Sequence, residues 1–152
     1  MTTTTAQAPQ VYQLVIKATP EQIWDAITKP EFTTQYFYGS CVDSTFEPGT
    51  PYNSYTPDRS QHLIDGEVLE ADPPRLLQHT WRALYDPETA TEAHSRVTWE
   101  IEPQQDGTCV LTVVHDQLEN SPKTGQRVSG IGWMTVLSGL KTLIETGRPL
   151  TD

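Results

Sequence analysis

Residues 11–18 alternate, with Val11, Gln13, Val15 and Lys17 on one parity and Tyr12, Leu14, Ile16 and Ala18 on the other. This β-rich, period-two run predicts a strand. The next residues are Thr19-Pro20-Glu21-Gln22. Thr19 can cap the first free amides, Pro20 suits the first helical position, and Gln22 can reach back to complete a capping box. Ile23, Trp24 and Ile27 supply the apolar stripe of a short helix. Lys29-Pro30 interrupts it, since a residue before proline is pushed out of helical geometry. A second short helix then carries Phe32, Tyr36 and Phe37 to an end near Gly39.

From residue 40 to about residue 115 the pattern is β throughout, with strands predicted at 40–46, 50–56, 61–71, 75–85, 94–102 and 108–115. Pro48-Gly49, Pro57-Asp58, Asp72-Pro73-Pro74, Asp86-Pro87 and Asp106-Gly107 mark the turns between them. Leu77, His79, Trp81, Ala83 and Tyr85 share one face; so do Val97, Trp99 and Ile101, and so do Cys109, Leu111, Val113 and His115. The last element reads as one long helix, opened by Ser121-Pro122 and closed by Gly147 and Pro149. Trp133, Val136, Leu137, Leu140 and Ile144 form its buried stripe. Gly125, Ser129, Gly130 and Gly132 in its first half are poor helix formers; they would admit a close backbone approach or leave room for something bound.

The order predicts an α+β domain: a curved antiparallel sheet of six or seven strands wrapped round the long C-terminal helix, with two short helices after the first strand. The polar, low-complexity stretch 1–10 reads as a flexible tail and 11–150 as a single domain. A half-barrel of this kind leaves space between sheet and helix, where small-molecule sites sit. The formal charge of −10 argues against phosphate backbones and anionic lipid, so neither nucleic acid nor membrane is an expected partner. No apolar run reaches the roughly 20 residues that span a bilayer, and the opening has no leader pattern, so a cytoplasmic location is expected. Cys41 and Cys109 make neither a disulfide framework nor a zinc site.

Thr19-Pro20-Glu21-Gln22-Ile23-Trp24-Asp25-Ala26-Ile27-Thr28-Lys29-Pro30-Glu31 resembles the opening of the START-like (SRPBCC) helix-grip superfamily. Polyketide cyclases, birch-pollen-type ligand carriers and the branch named for the activator of the heat-shock-protein-90 ATPase belong to it. Three further stretches resemble that last branch: 66–76, 95–103, and Gly132-Trp133 with Leu137, Leu140-Lys141 and Leu143-Ile144-Glu145. The resemblance covers about residues 11–147 and implies the helix-grip fold. Tyr36-Phe37-Tyr38-Gly39 departs from it, standing where a tryptophan pair before glycine is common.

No phosphate-binding loop, nucleophile elbow or metal-spaced histidine pair is present, so no cofactor, metal or catalytic residue is assigned. The expected ligand is a small apolar or aromatic molecule. Trp81, Trp99 and Trp133 point to one interior and offer aromatic walls with indole donors, or plain core packing. His115, where the resemblance places a histidine in many relatives, ends an inward register and offers a polar group near neutral pH, or a strand-end cap. Tyr36, Phe37 and Tyr38 stand at the expected mouth as a gate or a plug. Leu137 lies on the helix stripe. Met134 is off it, to line the roomy half of the cavity or to form a patch for a homodimer. The readings are ligand binding first, a cyclase or hydratase using the same cavity second, and a chaperone partner third.

Overall fold

The computed structural model describes residues 8–151. The chain runs β1 (Gln10–Ile16), α1 (Pro20–Thr28), α2 (Pro30–Tyr36), β2 (Cys41–Asp43), β3 (Pro51–Tyr55), β4 (His62–Asp72) and β5 (Leu76–Ala83). It continues through α3 (Pro87–Ala90), β6 (Ser95–Pro103), β7 (Cys109–Asp116), α4 (Pro122–Val128) and α5 (Ile131–Thr146). The strands form one sheet in the order β1-β7-β6-β5-β4-β3-β2. Every neighbouring pair is antiparallel. β2 to β7 are thus a meander, and β1 returns to close its far edge. This is the helix-grip architecture, with register shifts in β3–β4 and β4–β5.

Local chemistry sets the first elements as the sequence predicts. The Thr19 side chain accepts from the Gln22 amide while the Gln22 side chain accepts from the Thr19 amide, a complete capping box. Tyr36 on α2 meets α5 where Gly139 has no side chain; a Cβ there would stand 3.1 Å from the Cβ of Tyr36. On β1 the even parity is the inner one: Ile16 is fully buried, while Val11 and Val15 face out.

Three expectations change. Residues 1–7 of the expected tail lie outside the described residues, but Gln10 is not tail. It pairs with His115 in the sheet and its amide nitrogen donates to the Gly125 carbonyl at 3.0 Å. The long C-terminal helix is two helices. Ser129 is extended and Gly130 takes φ 61° and ψ −112°, a conformation side-chain-bearing residues rarely adopt, so the helical ladder breaks between α4 and α5. Asp86-Pro87 starts a helix rather than only a turn, because the Asp86 carboxylate accepts from the Glu88 amide.

Candidate functional site

Two imidazole–indole pairs sit at the centre of the core. His115 on β7 and His79 on β5 are both essentially inaccessible. The Trp133 indole N–H donates to His115 Nδ1 at 3.1 Å, and an indole nitrogen can only donate, so Nδ1 is unprotonated. The other ring nitrogen, Nε2, then carries the proton and donates to Ser95 Oγ at 2.7 Å, and the Ser95 hydroxyl in turn donates a hydrogen bond to the Trp81 carbonyl at 3.0 Å. His79 has the opposite tautomer. Its Nδ1–H donates to the Thr80 carbonyl at 2.9 Å and its Nε2 accepts from the Trp99 indole at 3.1 Å. Tyr52 stacks on the His79 ring with centroids 3.7 Å apart, and Trp99 packs edge-on against Trp133. Burial pushes His79 down to about 4. Burial, with His79 as a second cause, pushes His115 down to about 3. Both rings are therefore neutral at physiological pH and have both nitrogens engaged.

Beside this closed region a cleft of about 430 Å³ opens between the sheet and the helices. Leu63 and Ile64 of β4 and Trp81 of β5 form its sheet side. Val128 at the end of α4, with Gly132, Trp133 and Val136 of α5, forms the helix side. Phe37, Tyr38 and Ser40 come from the loop after α2, and Tyr85 and Arg127 complete the rim. A second, much smaller void of about 10 Å³ shares Phe37, Ser40, Ile64 and Trp81 with the cleft.

Charge on this rim is paired. Arg127 Nε meets Asp86 at 2.8 Å and its Nη2 meets Glu88 at 3.1 Å, while Lys123 stands 3.5 Å from Glu88. The Glu88 amide, and after it Arg127, holds the Asp86 carboxyl below the usual carboxylate range. Glu92 accepts from the Lys123 and Thr124 amides, both at 2.8 Å, at the start of α4. α4 is thus tied to α3 and the loop after it by charge-assisted contacts.

The residues put forward from the sequence divide between these two regions. Phe37, Tyr38, Trp81 and Trp133 line the cleft. Phe37 packs edge-on against Trp133, and the exposed Tyr38 donates its hydroxyl to the Gly132 carbonyl at 3.3 Å. Tyr36 is buried and donates to the Ala26 carbonyl at 2.8 Å, which makes it a core residue. Trp99 borders only the small void among the two spaces, and Leu137 is in the core. Met134 is half exposed and off the cleft, because it lies on the outer side of α5. His115 does not reach the cleft either; its ring is consumed by Trp133 and Ser95, so the cyclase reading loses its one acid or base.

Leu63, Ile64, Val128 and Val136 also line the cleft, beyond the residues the sequence puts forward. Ile64 and Val136 carry an apolar pattern that could have placed them inside. Tyr85 lies on the strand face that the alternation shares with Trp81, whereas no sequence signal places Arg127 on the rim, since its position follows from the break at Gly130. Among the described residues no cluster suits a metal ion, and no helix is long and apolar enough to cross a membrane.

Comparison with solved structures places this fold among known ones. Protein MLL2253 from Mesorhizobium loti aligns with a TM-score of 0.73 and 23% identity over 95% of this chain and 99% of that one. CalU16 from Micromonospora echinospora aligns at 0.68 and 18% identity, over 91% of this chain and 77% of that one. DynU16, from the dynemicin biosynthetic locus, aligns at 0.70 and 19% identity over 93% of this chain, which spans 48% of that protein. Identities this low speak for the fold alone. None of the curated proteins compared matches the sequence. Residues 17–145 match the family described as activator of Hsp90 ATPase homolog 1-like protein, and with most of its length matched this chain belongs to that START-like family.

Proposed function

We propose that this protein binds a small apolar or aromatic molecule in the cleft between α4–α5 and β4–β5. The observation that carries the reading is the cleft itself. Its volume of about 430 Å³ falls within the roughly 300–1,000 Å³ of small-molecule sites, and its walls are predominantly aliphatic and aromatic. Phe37, Trp81 and Trp133 present three aromatic side chains to it, which suits a flat ligand. Affinity would come mainly from burying the ligand's apolar surface, at ~25 cal/mol per Å². A chaperone-docking role rests on the family name, whereas the cleft is a feature of this chain.

A thermal-shift screen with uncharged bicyclic aromatics tests the reading. A ligand at 100 times its Kd stabilises by about 2.7 kcal/mol, which raises Tm by roughly 5–10 °C for a domain of this size. Val128→Trp, which fills the cleft from its half-buried side, is expected to abolish that shift while leaving the protein folded. No shift with any compound, or an equal shift in Val128→Trp, overturns the proposal.

A further inference from the structure

The three buried indoles, Trp81, Trp99 and Trp133, are not equivalent. Trp99 and Trp133 donate to the two buried imidazoles. Trp81 is 5% exposed, yet its N–H has no acceptor among the described residues, although every fully enclosed side-chain nitrogen and oxygen there is partnered. The Trp81 nitrogen therefore borders accessible space, and the spaces Trp81 lines are the cleft and the small void sharing its walls. An indole N–H that borders accessible space in an apolar wall is open to an acceptor carried by a ligand. The rim supplies the complementary restriction. Among the described residues Arg127 is the sole cation on the cleft wall and is already engaged by Asp86 and Glu88, within a chain of net charge −10. An anionic ligand would meet no free positive charge there.

Building on the cleft as a binding site, we infer that Trp81 is its specificity-determining donor. The ligand class is an uncharged aromatic molecule whose ketone or other neutral oxygen acceptor reaches the Trp81 N–H. Apolar area gives the affinity, and the hydrogen bond to Trp81 sets the orientation of a ring resting against the Phe37–Trp133 pair, because Trp81 stands in the sheet wall whereas the Tyr85 hydroxyl lies at the rim. Ser40 is not a competing donor, because its hydroxyl is turned to the Phe37 carbonyl at 2.7 Å.

The test uses three probes of one shape: 2-acetonaphthone, 2-ethylnaphthalene and 2-naphthoate, titrated against the full chain and against Trp81→Phe. The ketone is expected to bind wild type about tenfold more tightly than the hydrocarbon, equivalent to about 1.4 kcal/mol. Trp81→Phe should erase that preference, with the hydrocarbon's Kd changed less than about twofold. The carboxylate should bind at least tenfold more weakly than the ketone. In ¹⁵N–¹H spectra of wild-type protein, the Trp81 indole resonance, assigned through its contacts, should move downfield with the ketone and not with the hydrocarbon. That readout stands even if Trp81→Phe folds poorly. Equal affinity for ketone and hydrocarbon, an equal loss of both in Trp81→Phe, an unmoved indole resonance, or tight carboxylate binding overturns the inference. Failure of all three probes to bind wild type overturns the cleft reading itself, a distinct outcome.

Discussion

The imidazole–indole core and the cleft lie side by side, share Trp133, and are built on opposite principles. In the core, polar atoms are buried and each is matched: His115 between Trp133 and Ser95, His79 between Trp99 and Thr80. In the cleft the walls are mostly apolar, and the N–H of Trp81, which lines it, has no partner among the described residues. A matched network fixes geometry and leaves nothing over for a ligand. An unmatched donor in an apolar wall leaves one directional contact free. Polar residues buried in this core thus mark structure, and under the proposed function the signal to follow is the polar group the core does not consume.

Substitutions should separate the regions by size of effect. His115→Ala removes packing, strands the Trp133 N–H and takes away the hydrogen bond that Ser95 Oγ accepts, although the Ser95 hydroxyl keeps its Trp81 carbonyl. It should cost about 4 kcal/mol, combining a cavity with an unmatched donor, and lower Tm by roughly 10 °C or more. A loss under about 1 kcal/mol in urea unfolding would mean that the network is not tight.

Acid should act on the same region. The two imidazoles titrate at about 4 and about 3 when folded, against an ordinary value of 6.5. Below pH 6.5 the unfolded chain therefore takes up more protons than the folded one, and stability falls as pH falls toward those folded values. From pH 6.5 to 5 the two rings together should cost about 3 kcal/mol by proton linkage, read from urea midpoints at each pH. A flat profile over that window would contradict buried neutral rings.

Substitutions at the cleft should be milder. Trp81→Phe strands no protein acceptor and should cost about 1 kcal/mol of stability while changing ligand preference. Arg127→Met removes exposed ion pairs worth at most ~1 kcal/mol; Tm should barely change, and ligand dissociation measured by stopped flow should quicken as α4 loosens. Unchanged dissociation would show that the pairs do not hold the rim.

The sequence carries the strand alternation, the capping box and the turn residues, and these local signals fix most of the fold. Even His79 shares an inward face with Leu77 and Trp81 on parity alone. What it does not carry is pairing across elements. That His79 would accept a hydrogen bond from Trp99, and His115 one from Trp133, depends on strand register and on how α5 lies over the sheet. The glycine-rich stretch 125–132 shows that something unusual happens, without showing that the backbone turns at Gly130. Once α4 swings away there, Val128 and Arg127 arrive at a rim no linear pattern describes.

That turn divides labour along the C-terminal segment. α5 is anchored by apolar packing, whereas α4 reaches α3 largely through carboxylates, a guanidinium and amides on the outside of the molecule. The aperture of the cleft is consequently framed by surface charges, and its floor by the interior. Evolution, or an engineer, can reshape that aperture by editing charges at Asp86, Glu88, Glu92 and Arg127 without re-solving the packing problem beneath.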